Sequence, residues 1–163
     1  MKLNLGCGKD IKKGYVNVDR VKMPNVDYVC DFNKEPLPFK NNTFEEVYCN
    51  RVIELLDELP KTFEEIHRIC KKSAKVKVIV PYYNCKGSYN DPLQKHFFNS
   101  DSLNFLTAGY ETSYYTNARF LIRAKKLIPT RLGKIIPPFC REKVSLVIGE
   151  VISLIEFDLE VVK

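Results

Sequence analysis

Gly6 and Gly8 flank Cys7 directly behind the short apolar run Leu3-Asn4-Leu5, and Asp19 ends the next apolar run, Val16-Asn17-Val18. A strand that runs into Gly-x-Gly lets the backbone approach a ligand that any Cβ would hold away. An acidic side chain closing the following strand can grip a ribose diol. The spacing points to a nucleoside-cofactor site.

A dinucleotide fingerprint would also need a third glycine three residues on, where this chain has Ile11. It would need its acidic residue about 20 positions further along, and Asp19 comes too soon. Only the residues from Lys9 to Gly14 separate the two runs. That is too short for a full helix whose N-terminus would face a pyrophosphate. At roughly 3.3 Å per residue, such a link returns along one strand only if it is nearly extended. The first crossover is therefore expected to be vestigial.

The elements that must position these residues are legible as short β-branched runs at 2–5, 15–18, 28–30, 46–48 and 76–80. They read as parallel strands buried on both faces. Between the last two, Pro60 suits the first turn of a helix in which Phe63, Ile66, Ile69 and Cys70 form one apolar stripe above Lys71 and Lys72. A second helix is expected over 101–108, capped by Asn99 or Ser100 and stopped by Gly109. Two more strands are expected at 119–128 and 156–162, the latter from the spacing of Phe157, Leu159 and Val161.

The 163 residues, 45% of them hydrophobic, suffice for one domain with a real core, spanning 1–163. No run approaches the roughly 20 apolar residues of a membrane span, and the N-terminus lacks a signal pattern, so a cytoplasmic protein is expected. Cysteines at 7, 30, 49, 70, 85 and 140 form no C-x-x-C pair. Neither a zinc site nor a disulfide framework is indicated, and buried thiols are the expectation.

The run Leu3-Asn4-Leu5-Gly6-Cys7-Gly8, then Asn17-Val18-Asp19, then Val29-Cys30-Asp31-Phe32, then Leu37-Pro38-Phe39 through Val47-Tyr48 resembles class I S-adenosylmethionine-dependent methyltransferases. The likeness continues through Phe63-Glu64-Glu65-Ile66-His67-Arg68-Ile69, the run from Val76 to Pro81, and Asp91-Pro92-Leu93-Gln94-Lys95-His96-Phe97-Phe98. It covers essentially the whole chain and is greatest to a compact archaeal and bacterial subgroup of the type-11 methyltransferase family.

That resemblance implies an α/β, Rossmann-like fold with a mostly parallel seven-stranded sheet, and S-adenosylmethionine as cofactor with S-adenosylhomocysteine as product. It implies cofactor contacts from Leu5, Gly6, Cys7, Gly8, Asp19, Arg20, Asp31, Phe32 and Asn50. Asp31 would accept from the adenine amino group, or else close an Asx turn, and Phe32 would supply an N–H or an apolar wall. Asn50 would lie where the methionine part of the cofactor meets the acceptor, or else cap the next helix.

The chain departs from the family pattern at three places. Family members carry His-Val-Leu-Glu-His after the fourth strand, and here the run is Arg51-Val52-Ile53-Glu54-Leu55. The later Asp-Pro-Thr-His reads Asp91-Pro92-Leu93-Gln94, leaving His96 two positions on. A Gly-Gly turn before the fifth strand is replaced by Lys72-Ser73-Ala74-Lys75, which must take another backbone shape because Ser and Ala resist positive φ.

Methyl transfer from a sulfonium needs alignment and desolvation above all. A base matters only for a weakly acidic acceptor. His96 is the candidate, with Asp91 as substitute or orienting partner, while His67 reads as structural. Tyr82, Tyr83 and Asn84 are expected to line the acceptor pocket. No metal is expected.

Charge is unevenly placed. Of the formal net charge of +6, the stretch from Arg119 to Lys143 carries +7, from eight basic residues against Glu142 alone. The same stretch is apolar, and in the class I fold residues 129–150 would be an insertion between strands 6 and 7 at the carboxyl edge of the sheet. Arg131 and Lys134 there suit an anionic or amphipathic acceptor, or an anionic surface. The acceptor is expected to be a small molecule, a glycan or a lipid-linked intermediate. Nucleic acid is disfavoured, because the Asn-Pro-Pro-Tyr type motif is absent, although Pro81-Tyr82-Tyr83-Asn84 keeps some of its residue types. A solvated basic face is the plainer alternative for the segment. A cofactor-binding or regulatory subunit without catalysis is the alternative for the chain.

Overall fold

The computed structural model describes residues 1–163. Its strands are β1 (Lys2–Leu5), β2 (Val16–Asp19), β3 (Tyr28–Val29), β4 (Phe44–Asn50), β5 (Cys70–Pro81), β6 (Arg119–Pro129) and β7 (Ile152–Val162). They form one seven-stranded sheet in the order β3-β2-β1-β4-β5-β7-β6. β1 to β5 pair in parallel, and β7 runs antiparallel to both β5 and β6. The chain moves outward from β1 through β2 and β3, then crosses to β4 on the other side of β1. Strand order reverses there, which opens a crevice beyond the carboxyl ends of β1 and β4.

The first crossover has no helix. A pair of buried side chains does its work: Asn4 Nδ2 donates to Asp10 O at 2.6 Å and to Asn17 Oδ1 at 2.9 Å. Asn17 Oδ1 also accepts from the Lys12 amide at 2.9 Å, and Asn17 Nδ2 donates to Tyr15 O at 3.1 Å. Backbone groups that a helix would satisfy internally are thus paired with two strand asparagines.

The one long helix, α1 (Leu59–Ile69), starts with Pro60 in its first turn and buries Phe63, Ile66 and Ile69 completely. It packs on the sheet face formed by Val47, Val76, Val78, Val80, Phe157, Leu159 and Val161, all buried. The opposite face is not apolar. Glu46, Tyr48, Lys77, Glu156 and Asp158 lie on it half exposed or exposed, with Lys2 paired to Glu46 at 2.8 Å, Lys77 to Asp158 at 3.1 Å, and Lys12 Nζ 4.0 Å from the Tyr48 ring centre. The expectation of strands buried on both faces is therefore corrected. Helices cover one side only, and the other is a lattice of cross-strand ion pairs.

The expected helix over 101–108 is instead a series of turns with one 3₁₀ turn at Asn104–Leu106. Asn99 caps no helix; it closes an Asx turn, its Oδ1 accepting from the Asp101 amide at 2.9 Å. Only Leu103 and Leu106 are fully buried, a three-residue spacing that suits a 3₁₀ turn and gives an α-helix no stripe to bury. Ser73 also departs from expectation, taking φ +60° inside β5. It lies where the β4–β5 register shifts between the Phe44 and Glu46 pairings, so a bulge replaces the turn.

Residues 130–151 connect β6 to β7 at the carboxyl edge of the sheet and contain the short helix α2 (Arg141–Ser145). All cysteines but the half-buried Cys140 are buried. No helix is long and apolar enough to cross a membrane.

Candidate active site

β1 ends in a turn with Gly6 at φ +64° and Gly8 at φ +48°. A Cβ on Gly6 would stand 2.2 Å from Val52 Cγ2, whereas one on Gly8 would meet nothing within 4 Å. The two glycines therefore serve different ends. Gly6 lets the β4 loop close on the β1 turn, and Gly8 keeps open space on the cleft side. The Gly8 amide donates to Asp19 Oδ2 at 2.8 Å, and Asp19 Oδ1 accepts from the Val21 amide at 2.9 Å. Each oxygen keeps a further lone pair for a ligand hydroxyl.

A cleft of about 220 Å³ opens at this switch point, lined by Gly6, Gly8, Asp19, Arg20, Asp31 and Phe32. Asn33, Arg51, Val52, Leu55 and Leu56 complete its walls. A second cavity of about 330 Å³ shares Phe32 and Asn33 with it and runs on between the 33–37 loop and the start of α1. Arg68 fixes that loop. Its Nη1 donates to Phe39 O at 2.8 Å and its Nη2 to Leu37 O at 3.1 Å, while Glu65 Oε1 accepts from the Leu37 amide at 2.8 Å.

Six of the nine residues expected to hold the cofactor line the cleft. Leu5 lines the second cavity, and Cys7 is buried, its thiol pushed up to about 11 by desolvation and by Asp19. Asn50 lines neither space. Asp31 does close an Asx turn, its Oδ1 accepting from the Asn33 amide at 3.2 Å. Lys34, hydrogen-bonded to the Asp31 carboxylate, holds it below the ordinary range. Arg51, Val52, Leu55 and Leu56 were not anticipated in the wall. Their signal was the run 51–55 itself, which departs from the family pattern at the turn that closes the cleft.

Beyond the cleft, the expected residues separate. His96 is half buried, its amide donates to Glu54 O at 3.1 Å, and its Nε2 donates to Leu56 O at 2.8 Å. A carbonyl only accepts, so this bond puts the proton on Nε2 and leaves Nδ1 as the free acceptor. Asp91 does not orient the ring. It is exposed and closes its own Asx turn on the Leu93 amide at 2.9 Å. His67 is structural, donating to Val162 O at 2.7 Å.

Tyr82 is fully buried, so it is a core residue, and burial raises its phenol above the ordinary range. Neither Tyr82, Tyr83 nor Asn84 lines either cavity. Asn84 instead ties the 130–151 connection down, donating to Ser145 O and accepting from the Glu150 amide. Arg131 and Lys134 are exposed without an ion-pair partner. Arg141 donates to Gly133 O at 2.9 Å and Ile136 O at 3.0 Å.

Sequence reasoning missed Glu54. Its side chain is 2% exposed, its Oε2 has no partner, and desolvation pushes the carboxyl up to about 7. It lies in the same 3₁₀ turn as Leu55, just before Leu56 of the cleft wall, and its carbonyl holds the Lys95 and His96 amides.

Residues 3–77 match the methyltransferase domain family. That match spans the sheet from β1 into β5, a little under half of the chain. The strand order, switch-point cleft and glycine turn agree with that match. No curated protein matches the chain. Among solved structures it is similar to a SAM-dependent methyltransferase from Archaeoglobus fulgidus, with TM-score 0.66 and 16% identity over 98% of this chain and 85% of that one. Phosphoethanolamine N-methyltransferase 2 of Haemonchus contortus, solved with S-adenosyl-L-methionine, aligns with TM-score 0.63 and 14% identity over 99% of this chain and 48% of that one. The [4+2]-cyclase SpnF aligns with TM-score 0.63 and 13% identity over 99% of this chain and 74% of that one.

The cleft lining has the chemistry that a nucleoside requires. Gly8 leaves space where a Cβ would intrude, Asp19 offers two carboxylate oxygens already oriented by backbone amides, and Phe32, Leu55 and Leu56 are apolar walls for a base.

Proposed function

We propose that the protein transfers the methyl group of S-adenosylmethionine to an anionic or amphipathic acceptor presented at the carboxyl edge of the sheet. The observation that carries the reading is the cleft at the β1/β4 switch point, where Gly8 and Asp19 are joined at 2.8 Å and face open space. The cofactor supplies an electrophilic methyl on a sulfonium. The carbon–sulfur bond breaks as the bond from carbon to the acceptor forms, and S-adenosylhomocysteine leaves. Asp19 would accept the ribose hydroxyls, Phe32 and Leu56 would flank the base, and Arg20 and Arg51 would stand at the cleft mouth. His96 lines neither cavity, but its Nε2 bond to Leu56 O ties the ring to the cleft wall and leaves Nδ1 as the nitrogen that would take a proton from a hydroxyl acceptor. The unpaired charges of Arg131 and Lys134 support an anionic acceptor.

A second reading, a cofactor-binding subunit without catalysis, is favoured by one observation: Arg51 and Leu55 stand where family members have histidines. Calorimetric titration with S-adenosylmethionine and NAD tests the cofactor, and screening acceptor pools for S-adenosylhomocysteine tests turnover. Tight S-adenosylmethionine binding with product formation supports transfer. Binding without product across anionic, glycan and lipid pools favours the second reading, and tighter NAD binding overturns both.

A further inference from the structure

Six large apolar side chains of the β6–β7 connection face solvent: Leu132, Ile135, Phe139, Leu146, Val147 and Ile148. Ile135 and Phe139 are 82% exposed and Val147 is 88% exposed, far beyond what scattered surface residues need. The segment carrying them is not a loose loop. Thr130 bonds to the Glu150 and Val151 carbonyls, Gly133 donates to Thr130 Oγ1 at 3.0 Å, and Arg141 Nε bridges the Gly133 and Ile136 carbonyls. Asn84 and Lys86 anchor it to the turn after β5, and Ser100 bonds to Glu142. A Cβ on Gly133 would stand 1.8 Å from Val151 O, so the fold holds this connection tightly against the start of β7.

Among these apolar groups stand Arg131, Lys134 and Lys143, exposed and without an ion-pair partner. That contrasts with the open sheet face, where Lys2 and Lys77 are paired to carboxylates. A rigid platform with large apolar groups and unneutralised cations is what an interface of acyl chains beneath anionic headgroups accepts. A second copy of the chain is a poorer occupant, because the segment is net cationic and two copies would bring like charges together.

We propose that the 130–150 platform seats the protein on an anionic lipid surface. Phe139, Ile135 and Val147 enter the headgroup–acyl boundary, and Arg131, Lys134 and Lys143 meet the headgroup phosphates. The platform lies at the sheet edge onto which the cleft opens, so a docked molecule would receive its acceptor from the lipid surface. That last clause rests on the proposed methyl transfer; the docking itself does not.

The test is flotation of the 163-residue chain with phosphatidylcholine vesicles, with and without phosphatidylserine, at low and high salt. The wild type is expected to float with anionic vesicles and to detach as salt rises. The triple variant Arg131→Gln, Lys134→Gln, Lys143→Gln should lose about a hundredfold in partitioning, roughly fivefold per charge. The variant Ile135→Ser, Phe139→Ser, Val147→Ser should fail to float while its circular dichroism is unchanged. Absence of wild-type flotation on anionic vesicles overturns the proposal. So does partitioning that neither variant alters. A salt-strengthened dimer abolished by Phe139→Ser would also overturn it, assigning the face to a second copy. Calorimetry with S-adenosylmethionine on the same preparation separates the two readings. Cofactor binding without flotation removes the docking surface alone, and flotation without cofactor binding removes the methyl-transfer reading alone.

Discussion

The Gly8 amide donates to Asp19 Oδ2 at 2.8 Å, so the side chain that closes β2 holds the glycine turn that closes β1. Asp19 is therefore both a ligand group and a brace of the cleft. Asp19→Ala should weaken S-adenosylmethionine binding by on the order of 1.5–3 kcal/mol, about tenfold or more, through a lost charged acceptor. It should also lower stability by about 1 kcal/mol, because the Gly8 and Val21 amides lose their partner. Calorimetry and urea denaturation on one variant read the two effects. An unchanged dissociation constant in a folded variant would remove Asp19 from the ribose role.

Gly6 and Gly8 should fail differently. Gly6→Ala brings a Cβ against Val52 at 2.2 Å and should cost stability, about 2–4 kcal/mol from overpacking and strained φ. Part of this should return in combination with Val52→Gly. Gly8→Ala meets no protein atom, so its stability should fall by only about 1–2 kcal/mol while cofactor affinity drops more steeply. Equal denaturation midpoints for wild type and Gly6→Ala would sink the Val52 argument.

Glu54 should make stability fall as pH rises. Its carboxyl titrates at about 7 in the fold, raised by burial from the 4.5 of an exposed glutamate. Below the unfolded value both states hold the proton and no penalty applies. Between the two values only the folded state retains it, so stability is lost progressively as pH climbs to about 7. The loss should be on the order of 2–4 kcal/mol by the usual conversion. Glu54→Gln should flatten this part of the profile, so that the variant gains on the wild type between pH 5 and pH 8. Parallel profiles for the two proteins in urea titrations would show that Glu54 is not the group responsible.

His96 is expected to be protonated on Nε2 when neutral, because Leu56 O accepts from that nitrogen at 2.8 Å. Nitrogen chemical shifts of the labelled ring should show the Nε2–H form, with Nδ1 bare. Finding the Nδ1–H form would disconnect the ring from the cleft wall and from the proton-accepting role.

Ser73 occupies the left-handed region at φ +60°, which glycine enters without steric penalty. Ser73→Gly should stabilise the protein by about 1 kcal/mol, and a lower urea midpoint in the variant would contradict the strain.

The glycine turn and the acid that braces it were legible in sequence because they depend on local facts. Gly6, Gly8 and Asp19 lie on adjacent strands, and the interval from Lys9 to Gly14 is too short for the helix a dinucleotide needs. The buried stripe of α1 was equally legible, since the spacing of Phe63, Ile66 and Ile69 is set by the helix itself. Other features arise only when distant segments meet. Nothing near Gly6 in sequence says that Val52 will fill the space above it, and nothing near Asn4 says that Asn17 will share the crossover backbone with it. The apolar spacing of β5 and β7 was consistent with burial on either side, and pairing decided that one face would be a lattice of charges. Glu54 reads as an ordinary acid in a loop. Only the folded chain takes its carboxyl from water, because desolvation depends on what the whole chain brings around a group and not on its neighbours in sequence.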